Sequence, residues 1–259
     1  MMGRSVARRF QVIAYFLSGR GIPAWRGIFG TSYPTLRADR LLLLSRMAFC
    51  WYSVAGSWGL VTRWEQGVSR PPAWRWILDL LRRRGLPVDA AVRLDGKTPA
   101  SLPGLVDELV EESMHYDGLH LFLDRSWCEG NHDQTDWLVR MVLLLGHALK
   151  AGGKQLYLTL GPGAALPAIS CLRLMAGALR GMVSFPEQPA EFPVVPALPP
   201  QRLLAGVSLS AADQRTFPCI LRQVRHRRLA GVALWRVDRA QEHHWDSLAR
   251  ELERWSSVS

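Results

Sequence analysis

The segment 118–124 places polar and apolar side chains on opposite faces of a predicted β-strand. Because successive side chains of a strand point to opposite faces, His120, Phe122 and Asp124 share one face, and three leucines share the other. The leucine face is suited to packing against helices, so we expect the other face to point into a core. A carboxylic acid at the end of such a strand can donate or accept a proton in catalysis. Asp124 is therefore the candidate acid.

Eight short apolar runs recur along the chain, and most are separated by segments with helical spacing. This alternation is typical of parallel βα units. A chain of 259 residues with 48% hydrophobic composition suits one barrel of eight such units. We therefore predict a single domain over residues 1–259, an α/β fold of the (β/α)8 TIM barrel type. The predicted strands are 10–17, 47–53, 87–94, 118–124, 155–160, 181–185, 203–209 and 231–237.

Caps, prolines and glycines mark the helices between these strands. The clearest helix follows Pro71 and Pro72 and stops at Gly85, where a C-terminal glycine is expected. Residues 186–200 are too rich in proline for a regular helix, so an extended or irregular crossover is predicted there. The predicted helices are 73–84, 101–114, 135–150, 166–179, 211–226 and 245–255.

Residues 116–124, Tyr-Asp-Gly-Leu-His-Leu-Phe-Leu-Asp, resemble the fourth strand of family 18 glycoside hydrolases, the chitinase-like family. The signature of that strand is Asp-Gly-x-Asp-x-Asp-x-Glu. Asp117 and Gly118 match it, and His120 and Phe122 stand where the family has its second and third acidic residues. Asp124 stands where the family has its catalytic glutamate. The framework of the motif is kept, while its acidic residues are largely replaced.

Other segments resemble the same family in the same order along the chain. Residues 12–16 are similar to its first strand, 48–52 to its second, and 84–88 to the approach to its third. Residues 229–235 resemble its last strand, which ends in a tryptophan at the floor of the sugar subsite. The resemblance is closest to the compact bacterial branch, including glycosidases linked to endospores, because no inserted α+β domain is present.

The resemblance implies a mechanism in which the substrate's own 2-acetamido group attacks the anomeric carbon while a glutamate protonates the leaving oxygen. The acid that orients this acetamido group is replaced by Phe122, at a cost on the order of 10²-fold or more in rate. Asp124 is one methylene shorter than glutamate, and a misplacement of about 1 Å costs another factor near 10². On the sixth strand, Ser184 stands in place of the tyrosine that helps to hold the acetamido group.

Three functions remain open. The first is a pseudoenzyme, non-catalytic or very weakly active, that binds polymers containing N-acetylglucosamine, such as peptidoglycan or chitin-like glycans, with Trp235 and Ser184 contacting the sugar. The second is an active glycosidase that uses Asp124 as its acid, with Glu129 as a second carboxylate. The third is a basic scaffold with a filled sugar cleft. An open groove lined by Trp235 favours the first two, whereas a mouth blocked by Phe122 and other aromatic rings favours the third.

Each candidate residue also has a purely structural explanation. Asp124 could be an ion-paired loop carboxylate, His120 a hydrogen-bonded core residue, and Trp235 part of the core. Several of the eleven tryptophans fall in predicted loops, where a carbohydrate site could use them. These loop tryptophans include Trp25, Trp58, Trp64 and Trp127.

The chain is basic, with 32 Lys+Arg against 22 Asp+Glu and a net charge of +10. Such a balance favours anionic neighbours, although we do not expect nucleic acid to be the partner. The residues that could bind an anionic polymer crowd the end of one predicted helix, where solvated arginines are the alternative interpretation. They are Arg222, Arg225, Arg227 and Arg228.

The remaining residues predict neither a cofactor nor a metal. The four cysteines lie far apart, so we expect buried free thiols, and the histidines have no metal-ligand spacing. No apolar run approaches the length that crosses a bilayer. Residues 1–19 resemble a short signal peptide, but a first barrel strand explains the apolar stretch better because no small-x-small cleavage site follows it closely. The compartment stays open between cytoplasm and spore or cell wall.

Overall fold

The computed structural model describes residues 10–17, 38–56, 59–65, 68–72, 74–94, 101–124, 127, 132–164, 167–186, 195, 197–209, 212 and 215–257. Eight parallel strands form a closed barrel, since the first strand pairs with the second on one side and with the last on the other. In chain order the strands are β1 (Gln11–Phe16), β2 (Arg46–Val54), β3 (Leu60–Val61), β4 (Arg63–Glu65), β5 (Val68–Ser69), β6 (Val88–Leu94), β7 (Gly118–Leu123), β8 (Gln155–Leu160), β9 (Gly181–Ser184), β10 (Leu203–Ser208) and β11 (Gly231–Trp235).

The predicted barrel is confirmed, and each predicted barrel strand is found with its ends shifted by at most two residues. The largest shift is at the end of β11, which stops at Trp235. Arg236 adopts a left-handed backbone conformation with φ of 60°, which ends the strand and leads into a 3-10 helix at Val237–Arg239. The short strands β3, β4 and β5 were not predicted, because runs of two or three residues carry no periodic pattern.

Seven α-helices lie in the described part of the chain. The helix α1 was not predicted, and α5 is shorter than expected, since residues 176–178 after it form turns. The described part of the crossover 186–200 contains no α-helix, and a 3-10 helix follows at Pro200–Arg202. The helices are α1 (Ala38–Leu42), α2 (Trp74–Arg83), α3 (Leu102–Ser113), α4 (His132–Ala151), α5 (Ile169–Met175), α6 (Thr216–His226) and α7 (Glu242–Ser257).

The hydrophobic core has two layers, one between the barrel and the helices and one inside the barrel. Val12, Ala14 and Phe16 of β1 enter the outer layer, whereas Ile13 and Tyr15 enter the inner one. The same alternation holds on β7, where the three leucines pack outward, as the sequence predicts. The side chains between those leucines therefore face the barrel interior.

A β-bulge interrupts the alternation in β2. Its pairing with β6 shifts register between Cys50 and Tyr52, so that Trp51 is the extra residue of the bulge. Cys50 belongs to the inner layer, whereas Trp51 and Tyr52 both belong to the outer one. The bulge thus reverses which residues face outward in the remainder of β2.

The cysteines are only partly as predicted. Cys50, Cys171 and Cys219 are free thiols, but only Cys50 is buried, and Cys219 is exposed on α6. Cys128 lies outside the described residues. Among the described helices, none has the length and apolar character needed to cross a bilayer.

Candidate functional site

The interior face of β7 carries His120 and Phe122 into the barrel. His120 is fully buried and Phe122 is 6% exposed. Asp124 follows at the carboxyl end of the strand, where TIM barrels hold their active sites. The candidate site therefore has a deep level at His120 and a mouth level at Phe122 and Asp124.

A polar chain crosses the deep level of the barrel. The Nε2 atom of His120 lies 2.9 Å from Oδ2 of Asp89, and its Nδ1 atom lies 2.7 Å from the Tyr15 hydroxyl. That hydroxyl lies 2.7 Å from Oγ1 of Thr159. At the other end, the Arg46 guanidinium donates to the Asp89 carboxylate and forms an ion pair with it. Each of the five side chains in this hydrogen-bonded series has a partner within the series.

The chemistry of these groups sets the direction of the hydrogen bonds. An ionised Asp89 only accepts, so His120 donates through Nε2, and the Nδ1 atom of a neutral imidazole accepts from Tyr15. Tyr15 in turn accepts from Thr159. Burial lowers the pKa of His120 from its usual value and outweighs the opposing effect of Asp89, which agrees with a neutral imidazole. Burial likewise raises the pKa of Tyr15 well above its ordinary value.

Stacking fixes the imidazole further. The ring of Tyr157 lies parallel to that of His120, with centroids 4.5 Å apart and an interplanar angle of 9°. Arg46 lies over the other ring of this stack, 5.9 Å from the centroid of Tyr157. His120 is thus a hydrogen-bonded core residue, which is the structural explanation given for it from the sequence.

Aromatic rings fill the mouth level. We call Trp64, Phe122, Phe185 and Trp235 the mouth cluster. Phe122 stacks on Trp235 at a centroid distance of 5.0 Å and an angle of 28°, and Trp64 lies edge-on to Phe122 at 5.2 Å. Phe185 packs against Trp235 at 5.6 Å. Trp64 and Phe185 are each 4% exposed, whereas Trp235 is half-buried.

The neighbouring residues leave room for these rings. A Cβ atom on Gly161 would lie 2.8 Å from the Phe122 ring, so the absence of a side chain there admits the phenyl group. Val183 and Phe185 enter the inner layer from β9, whereas Ser184 lies on the side of the strand that carries Met182. Phe185, rather than Ser184, is therefore the residue of this segment that contacts Trp235.

The excursion between β2 and α2 delivers Trp64 to the mouth. β4 and β5 form a small antiparallel hairpin, and Ser53 donates from β2 to the carbonyl oxygen of Arg63 at 2.5 Å. The Leu60 amide donates to Oε2 of Glu108 on α3 at 2.9 Å. Arg70 donates to Glu112 on the same helix at 2.6 Å. These contacts tie the hairpin to the barrel wall and to α3.

Asp124 is ion-paired at the barrel rim. Its Oδ2 atom lies 3.2 Å from an Arg93 guanidinium nitrogen at the end of β6, and the two side chains are 26% and 33% exposed. In this pair the carboxylate accepts a hydrogen bond from a permanently charged donor. The proposed second carboxylate, Glu129, lies outside the described residues, as do Trp25 and Trp58.

The two matching motif residues have structural contacts at the opposite end of the barrel. Oδ2 of Asp117 accepts a hydrogen bond from the Val88 amide at 2.8 Å. A Cβ atom on Gly118 would lie 2.7 Å from the carbonyl oxygen of Gln155 and 2.9 Å from Oδ1 of Asp89. These residues hold the start of β7 against its neighbouring strands. Their match to the signature is therefore explained by the fold and does not indicate catalysis.

The sequence did not reveal that Asp89 faces the barrel interior beside His120, or that Trp64 is one of the rings that fill the mouth. Asp89 lies in an apolar run, but its position on β6 gives it the same inward direction as His120, and strand alternation alone could have revealed that. Trp127, the other described loop tryptophan, is buried against Trp137 at 5.3 Å instead of being available to a ligand. Among the described residues, no group of three or more His, Cys, Asp or Glu side chains could hold a metal ion.

The four predicted anion-binding arginines lie at the end of α6 and just beyond it. Arg225 is ion-paired with Glu251 of α7 at 2.9 Å, and Arg222 donates to the sulfur atom of Cys219 at 3.0 Å. Arg227 caps the helix, and Arg228 follows with a φ of 55°. The four residues thus follow one another at the carboxyl end of α6, where Arg225 is engaged by Glu251.

Solved structures with the same fold are chitinases and related enzymes. A chitinase from Chromobacterium violaceum matches with a TM-score of 0.68 and 14% identity over 94% of this chain and 99% of that chain. The spore cortex-lytic enzyme SleL of Bacillus megaterium matches with a TM-score of 0.68 and 8% identity over 94% and 74%. A Group II chitinase catalytic domain from Ostrinia furnacalis, solved with penta-N-acetylchitooctaose, matches at 0.70 and 11% over 95% and 97%.

These likenesses are of fold. No protein-family model matches the sequence, and no curated protein is similar enough to count as a match. The chain has the (β/α)8 barrel fold of these enzymes.

Proposed function

We propose that this protein is a non-hydrolytic barrel of the chitinase type that binds polymers containing N-acetylglucosamine at the aromatic surface of its mouth. The observation that carries the proposal is the content of the inward positions on β7. His120 is held in the polar chain and Phe122 stacks on Trp235, so neither position offers a carboxylate.

The ion pair at the rim supports the loss of hydrolysis. In the family mechanism an acid protonates the leaving oxygen while a second carboxylate holds the acetamido group. Asp124 is paired with Arg93, and Phe122 occupies the place of the second carboxylate. An oxazolinium-like cation that forms there would meet an aromatic ring instead of an anion, which removes the electrostatic stabilisation that the reaction needs.

The half-buried Trp235 supports glycan binding. A tryptophan at the end of a barrel strand offers an apolar face on which a sugar ring can stack. Because Phe122 covers part of that ring, we expect a shallow contact rather than a deep subsite. Barrels of the same fold are solved with N-acetylglucosamine oligomers, which makes these glycans the first ligands to test.

The test is a titration of the purified protein with tetra-N-acetylchitotetraose and with solubilised peptidoglycan fragments, followed by tryptophan fluorescence and product analysis. We expect saturable binding and no product. Trp235→Ala should weaken binding roughly tenfold, through loss of the stacking platform. Trp76→Ala is the matched control, since Trp76 is 54% exposed on α2 and is not one of the rings of the mouth cluster.

Two outcomes contradict the proposal. Hydrolysis that is abolished by Asp124→Asn would favour the active glycosidase. Equal binding by the Trp235→Ala and Trp76→Ala variants would place the glycan elsewhere. Trp235→Phe, which keeps an aromatic ring, separates a loss of stacking from a loss of folding.

The second candidate is a basic scaffold with a filled cleft, and the ring contacts of Trp64 and Phe122 with Trp235 favour it. It predicts no binding of chitooligosaccharides and salt-sensitive binding to an anionic polymer such as polyglutamate. Substituting the four arginines at the end of α6 should then abolish polymer binding. Those residues are Arg222, Arg225, Arg227 and Arg228.

A further inference from the structure

A cavity of about 280 Å³ opens between α6 and α7 on the outer face of the barrel. Its volume lies just below the usual range for small-molecule sites. Several guanidinium groups and one carboxylate surround it beside an apolar wall. Its lining includes Pro218, Leu221, Arg222, Arg250, Glu251 and Arg254.

Positive charge exceeds negative charge around this cavity. Glu251 is the one carboxylate in the lining, and it is shared by Arg225 at 2.9 Å and Arg254 at 3.6 Å. Arg222 and Arg250 reach neutral atoms, the Cys219 sulfur at 3.0 Å and the Ser247 hydroxyl at 3.3 Å. Two guanidinium groups thus face the cavity without a carboxylate among the described residues. Planar guanidinium groups bind phosphate oxygens in pairs of parallel hydrogen bonds.

The carboxylate of Glu251 can accept a further hydrogen bond. The residue is 3% exposed, and its Oε1 atom lies 2.9 Å from one guanidinium nitrogen of Arg225. A carboxylate oxygen can accept more than one hydrogen bond, so a ligand hydroxyl can donate to Glu251 beside the arginines. The cavity therefore combines donors for an anion with an acceptor for a hydroxyl group.

We propose that this cavity binds a small phosphate monoester of a polyol. The phosphate lies between Arg222 and Arg250, a hydroxyl group of the ligand donates to Glu251, and the carbon chain contacts Pro218 and Leu221. A water molecule takes about 30 Å³ in the liquid, so a cavity of about 280 Å³ corresponds to roughly nine water molecules. That volume suits a three-carbon polyol with one phosphate group. The site is separate from the mouth cluster, so it stands or falls independently of glycan binding.

The probe is glycerol 3-phosphate, titrated into the full chain by isothermal calorimetry, with inorganic phosphate and glycerol as partial ligands. Inorganic phosphate should bind roughly tenfold more weakly than glycerol 3-phosphate, because it lacks the hydroxyl group and the carbon chain, and glycerol should not bind. Arg222→Ala and Arg250→Ala should each weaken glycerol 3-phosphate binding at least tenfold.

Matched variants separate the site from general charge. Arg173→Ala removes one exposed arginine from α5 and should leave binding unchanged, while Arg222→Lys should lie between the wild type and Arg222→Ala, since it keeps the charge but loses the paired hydrogen bonds. A Trp235→Ala variant should bind glycerol 3-phosphate normally. Circular dichroism on each variant confirms that it is folded.

The proposal is overturned if glycerol 3-phosphate does not bind, or if Arg173→Ala weakens binding as much as Arg222→Ala does. Vesicles of phosphatidylglycerol supply the same polyol phosphate in a lipid headgroup. Binding to those vesicles without binding to free glycerol 3-phosphate would also overturn it, because the ligand would then be a surface.

Discussion

Two levels of one barrel fill the inward positions of β7 in opposite ways. At the deep level, His120 keeps a polar group and joins a chain that runs from Arg46 to Thr159. At the mouth, Phe122 removes the polar group and packs against Trp64 and Trp235. A buried polar group is tolerated when every partner is present, whereas a position near solvent can be filled by apolar rings. The distance of an inward position from the mouth therefore decides whether a hydrogen-bonded polar side chain or an aromatic ring occupies it.

The largest expected effect comes from removing one charge of the deep level. Asp89→Asn leaves the guanidinium of Arg46, whose side chain is 11% exposed, without its buried partner. We expect a loss of about 3 kcal/mol in the free energy of unfolding, measured by urea denaturation. The matched control is Asp124→Asn, which breaks a similar ion pair at the rim and should cost less than about 1 kcal/mol. Equal losses at the two sites would contradict the contrast between depth and mouth.

The next effect tests the mouth cluster. Phe122→Ala should cost about 3 kcal/mol, at the lower end of the range for buried phenylalanine, because water can enter at the mouth. Trp235 loses its stacked neighbour, so the tryptophan emission should shift to longer wavelength and become easier to quench by acrylamide. Phe122→Leu keeps an apolar side chain and should cost less than half as much. An unchanged emission spectrum in Phe122→Ala would show that the ring does not cover Trp235.

A smaller effect follows from protonation of His120. Its pKa is lowered by burial, so the unfolded chain takes up a proton below about pH 6.5 while the folded protein does not. The free energy of unfolding should therefore fall as the pH drops below about 6.5, by at most about 1.4 kcal/mol per pH unit for each such group. Burial also lowers the pKa of His244, which contributes in the same direction. Denaturation curves between about pH 5 and 8 measure the sum.

The histidine variants divide that slope between the two sites. His120→Gln should remove one part of the pH dependence and His244→Gln the other. A slope that persists in full in the double variant would rule out both imidazoles as its source.

The smallest expected effect concerns activity. Asp124→Asn should change the turnover of chitin oligosaccharides less than twofold, from a level already near background, because Asp124 is paired with Arg93 and Phe122 offers no anion to the acetamido group. The measurement is product release from labelled tetra-N-acetylchitotetraose over long incubation. A clear drop in the variant would make Asp124 a working acid and would reverse the comparison between the two levels.

The sequence predicted the barrel because its strands bury alternate residues on two sides, a pattern that needs only neighbours along the chain. The outward leucines of β7 are an example, since their period of two was visible without any partner. The contacts of His120 were beyond such reasoning. Its partners Asp89 and Tyr15 are separated from it by 31 and 105 residues, and only closure of the barrel brings them to one level. Trp64 was similarly invisible, because its hairpin is held by distant contacts with α3.

The bulge in β2 has a consequence for the hairpin that carries Trp64. If β2 alternated regularly with no bulge at Trp51, Tyr52 would face the barrel axis, and Ser53 would turn away from the hairpin whose Arg63 carbonyl oxygen it binds. Losing the bulge while keeping every residue would exchange the inward and outward roles of the later residues in the strand, whereas deleting Trp51 would restore regular alternation and keep those roles. The Ser53 contact that holds the hairpin of Trp64 accordingly depends on the register of β2, and strand register shifts only by whole residues.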